Sequence, residues 1–457
     1  MSTAFLSAMT ASQLLGAWAI SVVGPRGGYI GALALFIVGS LLGAVAPNID
    51  TLIFARVLQG AAAGVVQPIV MVTIFRAFPI QQRGLALSLY GMGIMLAPIM
   101  GPVVGGITID AISWRYMFFI PLPFAGLAVV LGTLFMPTRD ESSTRLPFNW
   151  IGYGLVVGAI VCSMTAIANG TRDGWSSDKI LLLGAMSLGL SVAFVISQLR
   201  SSAPILDFAV FRHRQFAAAA ALGLVFGAGN FATIYLIPVF VQTVQNFTPT
   251  DAGLVTMPAG FIVMLFFPIA GRMVDIFPAR NLTIIGLLLF ALGSVLLHLT
   301  DVNTAFLTLV IYVIIGRVGQ SIMLPAINVS ALNALPPEKL NNGSGTINFI
   351  RLMGGAFGVN LLIVYLETRT EFHSAALTAT QTPDNPQSRE LLSQISSLLS
   401  QGGASEGLLQ PGSLHFLGRV IEAQAYTMGF KDSFMITAVV FVCALVPAFM
   451  LGKGKKK

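Results

Sequence analysis

Residues 85–106 have the sequence LALSLYGMGIMLAPIMGPVVGG, an uncharged apolar stretch that decides the class of the fold. Its length matches the roughly 20 residues that a helix needs to cross the hydrocarbon core of a bilayer. Small residues recur in it every four positions, at Gly93, Ala97, Gly101 and Gly105. One helix face therefore carries a stripe on which a second backbone can approach closely. Pro98 and Pro102 would break a soluble helix but are tolerated in a packed bundle, so the stretch predicts a kinked transmembrane helix.

The composition is that of a polytopic membrane protein. Of the 457 residues, 55% are hydrophobic and 9% are charged, whereas soluble domains carry about 25% charged residues. The mean hydropathy is +0.84. Basic loops on one side of the membrane explain the net charge of +7, so we expect no nucleic-acid partner. Cys162 and Cys443 lie in apolar runs, and we expect neither a disulfide framework nor a metal or cofactor.

Thirteen apolar segments follow one another along the chain, and most approach the length of a bilayer crossing. They lie near 4–23, 29–46, 51–75, 85–107, 116–136, 150–169, 180–198, 216–244, 252–271, 282–299, 305–330, 345–366 and 433–452. The pattern predicts an all-α polytopic membrane protein with 13 transmembrane helices. It divides the chain into an N-terminal bundle of five helices over 1–136, two linker helices with their loops over 137–214, and a C-terminal bundle of six helices over 215–457.

Lysines and arginines alternate between the two sides of this layout. Of the 25, fifteen fall on the side that holds the C-terminal tail, seven fall on the other side, and three lie inside apolar segments. The positive-inside rule places the richer side in the cytoplasm and, with an odd number of helices, the N-terminus outside. Residues 367–432 are then a long external loop, in which periodicity around 391–399 predicts short helices and not a separate domain.

The spacing GxxxAPxxGPxxGG, which ends on Gly105 and Gly106, resembles the antiporter motif of drug:proton exporters in the major facilitator superfamily. The chain is most similar to the 14-helix branch of the EmrB/QacA type. The resemblance implies the major facilitator fold and proton-driven efflux of lipophilic drugs or toxic compounds by alternating access, in the inner membrane of a bacterium. On these residues alone, a generic packing helix is the alternative.

Two internal repeats relate the halves of the chain. RVLQG over 56–60 recurs as RVGQS over 317–321, and GRMVDIFPAR over 271–280 has an eroded counterpart, AWAISVVGPR, over 17–26. In each pair, the second copy lies one helix later within its half than the first copy does. We therefore expect the family pattern of six, two and six helices without its first helix, which in the family carries an aspartate that takes part in proton coupling.

The resemblance also implies roles for individual residues. Arg56, Gln59 and Gly60 match the family's RxxQG motif and are expected to act in proton coupling. A charge near mid-membrane costs at least about 2.5–3.5 kcal/mol, so Arg56 faces a cavity or a partner, or else reaches the interface. The antiporter motif comprises Gly93, Ala97, Pro98, Gly101, Pro102, Gly105 and Gly106. Gly271, Asp275 and Arg280 are expected to hold a cytoplasmic gate, with a solvated loop as the alternative.

Polar residues inside apolar segments are candidates for lining the substrate path, and others of this kind only bond a neighbouring helix. The candidates are Gln67, Asn230, Tyr235, Arg317, Gln320, Asn328 and Arg351. All 18 Asp and Glu residues lie in loops or at helix ends. Because the sequence has neither a metalloprotease motif nor a nucleotide-binding loop, we do not expect an enzyme.

The expected partners are the lipid bilayer, amphipathic small-molecule substrates and protons. If the cell is Gram-negative, a periplasmic adaptor protein and an outer-membrane channel join them. Two alternatives to drug export stay open. One is a dedicated exporter of a siderophore, a fatty acid or another metabolite, and the other is a non-transporting truncated fragment.

Overall fold

The computed structural model describes residues 2–77, 90, 92–93, 100–101, 104–138, 147–201, 204–336, 339–382, 384–403 and 405–452, and almost all of them are helical. Short 3-10 turns lie at Gln13–Leu15, Trp114–Phe118 and Phe208–Arg212. The helices are α1 (Ser2–Ser12), α2 (Gly16–Ala44), α3 (Ile49–Ala77), α4 (104–111), α5 (Pro121–Phe135), α6 (Trp150–Asp173), α7 (Asp178–Arg200), α8 (Arg214–Thr243), α9 (Pro249–Ile276), α10 (Ala279–His298), α11 (Phe306–Asn333), α12 (Leu340–Thr380), α13 (Pro386–Gln401), α14 (Glu406–Cys443) and α15 (Leu445–Phe449).

The first two predicted segments are separated at Gly24, inside α2. Gly24 has φ 78° and ψ 169°, a backbone conformation that glycine adopts readily and other residues do not. The next residue is Pro25, which has no N–H to continue the helix. A Cβ on Gly28 would lie 3.7 Å from the Cβ of Ala19, so the two arms of α2 fold back side by side.

Within the described residues, eleven helices are long and apolar enough to cross a membrane. Two of the thirteen predicted segments are not counted among these eleven helices. Segment 85–107 lies mostly outside the described residues, and segment 4–23 consists of the short α1, a 3-10 turn and the first arm of α2. Hydropathy detects the apolar run but not the change of helix type inside it.

The segment 367–432, which the sequence predicts to be a loop with short helices, is largely continuous with the membrane helices. α12 runs on to Thr380, and α14 begins at Glu406 with α13 packed against it. At 1.5 Å per residue, the 41 residues of α12 span about 60 Å, roughly twice the hydrocarbon thickness. Both helices therefore project beyond the membrane on the predicted outer side.

An ion-pair cluster joins the projecting parts of α12 and α14. Asp432 Oδ2 accepts a hydrogen bond from Arg369 Nε at 2.6 Å and lies 2.7 Å from His373 Nε2. The guanidinium of Arg369 also lies 4.6 Å from the centre of the Phe372 ring. The cluster fixes the two helices to each other where they leave the apolar region.

The largest hydrophobic core lies in the C-terminal bundle and extends into the linker helices. Phe216 and Leu222 of α8, Phe290 of α10 and Met323 of α11 belong to it, together with Met164 of α6, which is fully buried. Linker helix α6 is thus packed into the C-terminal bundle. Helix α7, by contrast, leaves most of its apolar side chains exposed, as a lipid-facing helix does.

Glycines allow several helix pairs to touch at backbone distance. A Cβ on Gly64 of α3 would meet the carbonyl group of Met9 on α1. A Cβ on Gly319 of α11 would lie 2.6 Å from the carbonyl oxygen of Gly286 on α10. Because lipid gives no hydrophobic drive for helices to associate, such close packing is what holds a membrane bundle together.

Candidate functional site

Arg317 lies three turns into α11 and forms the centre of a polar cluster inside the C-terminal bundle. Its Nη1 donates to Asn230 Oδ1 on α8 at 3.0 Å and to Gln320 Oε1 at 2.8 Å. The side chain of Gln320 is 4% exposed. The structure thus brings three of the predicted path-lining residues together, and both partners of the guanidinium are neutral amides.

Arg56, the first copy of the repeat, has a different environment. Its Nη1 lies 3.4 Å from Gln59 Oε1, and its guanidinium lies 4.7 Å from the centre of the Phe118 ring. Gln59 in turn donates to Ser40 Oγ on α2 at 2.8 Å, and both residues are buried. Gly60 lies against α1, where a Cβ would meet the carbonyl group of Phe5. These three predicted proton-coupling residues therefore tie α3 to its neighbours, and their role in coupling stays a prediction.

Arg351 lies well inside α12, near the boundary between the two halves. Its Nη2 donates to Asn348 Oδ1 at 2.7 Å. Asn348 also contacts the first half, because its Nδ2 lies 3.4 Å from the sulfur of Met71 on α3. Tyr90, on the predicted antiporter-motif helix, lies within electrostatic reach of Arg351. Arg351 thus lies where residues of both halves meet.

A small cavity adjoins Arg317 within the C-terminal bundle. Residues of helices α8, α10 and α11 line it, and its volume is about 10 Å³. Its polar lining residues are Thr233, Ser294, Tyr312 and Arg317. A cavity of this size is enough for about one water molecule.

Gln67 has a partner that the sequence analysis missed. Gln13 Nε2 donates to Gln67 Oε1 at 3.4 Å, and Gln13 is 8% exposed. Gln13 begins the 3-10 turn between α1 and α2, and its Oε1 has no hydrogen-bond partner within the described part of the chain. The one sequence signal that could have indicated this contact is that Gln13 is a polar residue inside the apolar segment 4–23.

The two remaining path-lining candidates lie toward opposite ends of the bundle. Tyr235 of α8 packs beside the second core cluster of the C-terminal bundle and lies within electrostatic reach of Glu367 and Tyr426. Asn328 of α11 is half-buried toward the predicted cytoplasmic end. Neither residue joins the cluster around Arg317.

A close backbone contact of the antiporter-motif helix lies at Gly106, next to the small-residue stripe of Gly93, Ala97, Gly101 and Gly105. A Cβ on Gly106 would be 2.6 Å from the carbonyl oxygen of Pro249 at the start of α9. Among the described atoms, a Cβ on Gly93 or Gly101 would meet nothing within 4 Å, and one on Gly105 would meet only Met117, at 3.1 Å. Ala97, Pro98 and Pro102 lie outside the described residues. Within the described residues, the observed close contact is at the predicted outer end of the helix.

A hydrogen-bonded link between the two bundles lies beside that contact. Asp110 Oδ2 accepts from Thr250 Oγ1 at 2.6 Å and from the Thr250 backbone N–H at 3.2 Å. At the other end of the bundle, Gly271 has no described atom within 4 Å of its Cβ position, and Arg280 lies near the start of α10. The side chain of Asp275 lies outside the described residues, so the predicted gate stays a prediction.

The sequence model of the Major Facilitator Superfamily matches residues 1–359 of the chain. Multidrug export protein EmrB of Haemophilus influenzae is 27% identical over 414 residues, which cover 90% of this chain and 80% of that protein. A multidrug resistance protein B homolog of Mycobacterium tuberculosis is 28% identical over 455 residues, which cover 99% of this chain and 82% of that protein.

A solved structure agrees with the fold. The xylose transporter XylE from E. coli, in a partially occluded inward open conformation, aligns with a TM-score of 0.58 at 14% identity. The alignment covers 100% of this chain and 87% of that chain, and at this identity it shows the fold alone. Because the family match extends over most of the sequence, the chain belongs to the Major Facilitator Superfamily and is a membrane transporter, not an enzyme.

Proposed function

We propose that the chain exports lipophilic, amphipathic compounds from a bacterial cell across the inner membrane, by alternating access and at the expense of the proton gradient. The observation that carries this proposal is the likeness to multidrug exporters over nearly the whole chain. Arg56, Gln59 and Gly60 are the proposed proton-coupling residues. Because arginine does not give up its proton in proteins, Arg56 would not carry the transported proton itself. It would act through its electrostatic interaction with charged groups nearby.

The contacts between the two bundles support alternating access. At the predicted outer end the bundles meet through Asp110 and Thr250, and toward the predicted cytoplasmic end through Met71 and Asn348. Alternating access requires that contacts at one end separate while those at the other end persist. The two hydrogen bonds of Asp110 and the sulfur contact of Asn348 are weak enough to exchange in this way.

Two features bear on partners and on the second candidate function. The helices that project beyond the membrane, α12 and α14, provide a surface for a periplasmic adaptor protein if the cell is Gram-negative. The neutral partners of Arg317 favour a substrate with a negative charge, which a dedicated exporter of a fatty acid or a similar metabolite would handle.

An accumulation assay tests the proposed function. The full chain is expressed in bacterial cells that lack their main efflux pumps, and the uptake of several lipophilic fluorescent compounds is followed with and without a protonophore. Export predicts lower accumulation than in vector cells and loss of the difference when the protonophore is added. Arg172→Gln, at a side chain that is 84% exposed, is the matched control and should export normally. Equal accumulation with the protein present in the membrane would refute the proposal.

A further inference from the structure

We propose that Arg317, Asn230 and Gln320 form a binding site for the anionic head group, a carboxylate, of an amphipathic substrate. The inference rests on the proposed export function and names a substrate class for it. It follows from the charge of the cluster, from the donors that the cluster leaves open, and from its contrast with the matching cluster around Arg56.

The charge of Arg317 is not neutralised by its partners. Asn230 and Gln320 both offer amide oxygens, which accept hydrogen bonds but carry no negative charge. Arg317 lies three turns from the predicted outer end of α11, which places it about 16 Å along the helix. Since a charge at such depth is costly, intramembrane arginines generally mark pathways for ions or substrates.

Among the described residues, no hydrogen bond uses the Nε and Nη2 atoms of Arg317, which form the carboxylate-binding edge of the guanidinium. Both bonds leave from Nη1 and use its two hydrogens. The Nε and Nη2 edge has two parallel N–H groups, the arrangement that pairs with both oxygens of a carboxylate. Gln320 adds a further donor, because its buried Nε2 has no hydrogen-bond partner among the described residues.

A small cavity lies beside Arg317. Most of its wall is apolar and includes the side chains of Ile237, Phe290, Leu297 and Val313. At about 10 Å³ it admits one water-sized group, so the head group would enter fully in another conformation of the transport cycle.

Among the described residues, the matching arginine and glutamine of the first half are engaged with neighbouring side chains, although they belong to the same motif. Gln59 uses its Nε2 to donate to Ser40, whereas the equivalent Nε2 of Gln320 is unpartnered. The guanidinium of Arg56 is covered by the Phe118 ring. The arginine–glutamine pair of the first half therefore contacts neighbouring side chains, whereas the pair of the second half keeps hydrogen-bond donors for a ligand.

Binding of three matched probes to the full chain in lipid nanodiscs tests the inference. The probes are naphthoate, naphthalenemethanol and naphthylmethylammonium, which share one ring system and differ in charge, with empty nanodiscs as the blank. The wild type should bind naphthoate more tightly than the other two. Arg317→Gln should weaken naphthoate binding by about tenfold to 100-fold, the range expected for hydrogen bonds to a charged group, and leave naphthalenemethanol unchanged. Arg317→Lys keeps the charge without the planar fork, and its affinity for naphthoate should lie between those of the wild type and Arg317→Gln.

The control and a second variant keep the test decisive. Arg172→Gln removes an exposed arginine and should bind all three probes as the wild type does. If Arg317→Gln fails to fold, Asn230→Asp places a carboxylate of nearly the same size against Nη1 and should likewise weaken naphthoate binding.

Unchanged naphthoate affinity in a folded Arg317 or Asn230 variant, or tighter binding of the cation by the wild type, would overturn the inference. Export of neutral compounds without naphthoate binding would overturn only the site. Naphthoate binding without any export would overturn only the proposed function.

Discussion

Gln59 links α2 and α3 through a buried hydrogen bond. It is 3% exposed, it accepts from Arg56, and it donates to Ser40, which is fully buried. Gln59→Leu leaves the Ser40 hydroxyl without this partner, and an unsatisfied buried polar group costs about 1–3 kcal/mol. We expect a lower melting temperature of the purified variant in detergent. As the control, Gln394→Leu changes an exposed glutamine of α13 and should melt at the wild-type temperature. An unchanged melting temperature for Gln59→Leu would contradict a stabilising role of the Gln59–Ser40 hydrogen bond.

At this scale the sequence predicts contacts along a helix better than contacts between helices. An arginine and a glutamine three residues apart share a helix face, so the Arg56–Gln59 and Arg317–Gln320 contacts follow from spacing. The partners across helices, Ser40 and Asn230, depend on how two helices are aligned, which no local pattern specifies. Gln13 was missed for the same reason.

At the scale of elements, the junction of α4 and α9 makes a sharp prediction. Gly106→Leu should push the two helices apart, because even a Cβ would lie 2.6 Å from the Pro249 carbonyl oxygen, and overpacking costs about 1–3 kcal/mol. Gly184→Leu is the matched control, since no described atom lies within 4 Å of its Cβ position on the lipid-facing helix α7. We expect the first variant to lose drug export in the accumulation assay and the second to keep it. Normal export by Gly106→Leu would contradict an essential contact at this position.

The cluster between the projecting helices makes a second prediction. Asp432→Asn removes the negative charge that Arg369 and His373 share, and a hydrogen bond to a charged group contributes about 1.5–3 kcal/mol. The variant should be cleaved faster by protease within 381–405, because α12 and α14 separate more often. Glu371→Gln changes an exposed carboxylate on α12, between Arg369 and His373, and should be cleaved at the wild-type rate. Identical rates for Asp432→Asn and the wild type would show that the cluster does not hold the helices.

The predicted loop 367–432 shows why element boundaries were harder to predict than membrane segments. Hydropathy falls after residue 366, but α12 continues to Thr380 because residues such as Glu371, Ala375 and Leu377 favour a helix in water as well. A membrane span ends where side chains become polar, whereas a helix ends where its backbone bonds stop.

For the whole molecule, hydropathy and the antiporter motif were enough to predict the fold class and the family. Apolar runs of bilayer length allow only helices, because backbone groups in lipid must bond within their own segment. The different environments of the repeated arginine and glutamine could not be predicted, since they depend on Phe118 and Ser40 in one half and on Asn230 in the other. Sequence repeats predict equivalent positions, but each half supplies its own neighbours.

Transport into proteoliposomes tests the central claim, proton-driven drug export, most directly. Purified chain is reconstituted into vesicles with an acidic interior, and uptake of two fluorescent lipophilic compounds without a titratable group, one neutral and one a permanently charged sulfonate, is followed, with protein-free vesicles as the control. Antiport predicts that outward proton flow drives at least one of the compounds inward, and that a protonophore abolishes this uptake. Uptake of both compounds that is the same with and without the pH gradient, or the same as in protein-free vesicles, would contradict the account.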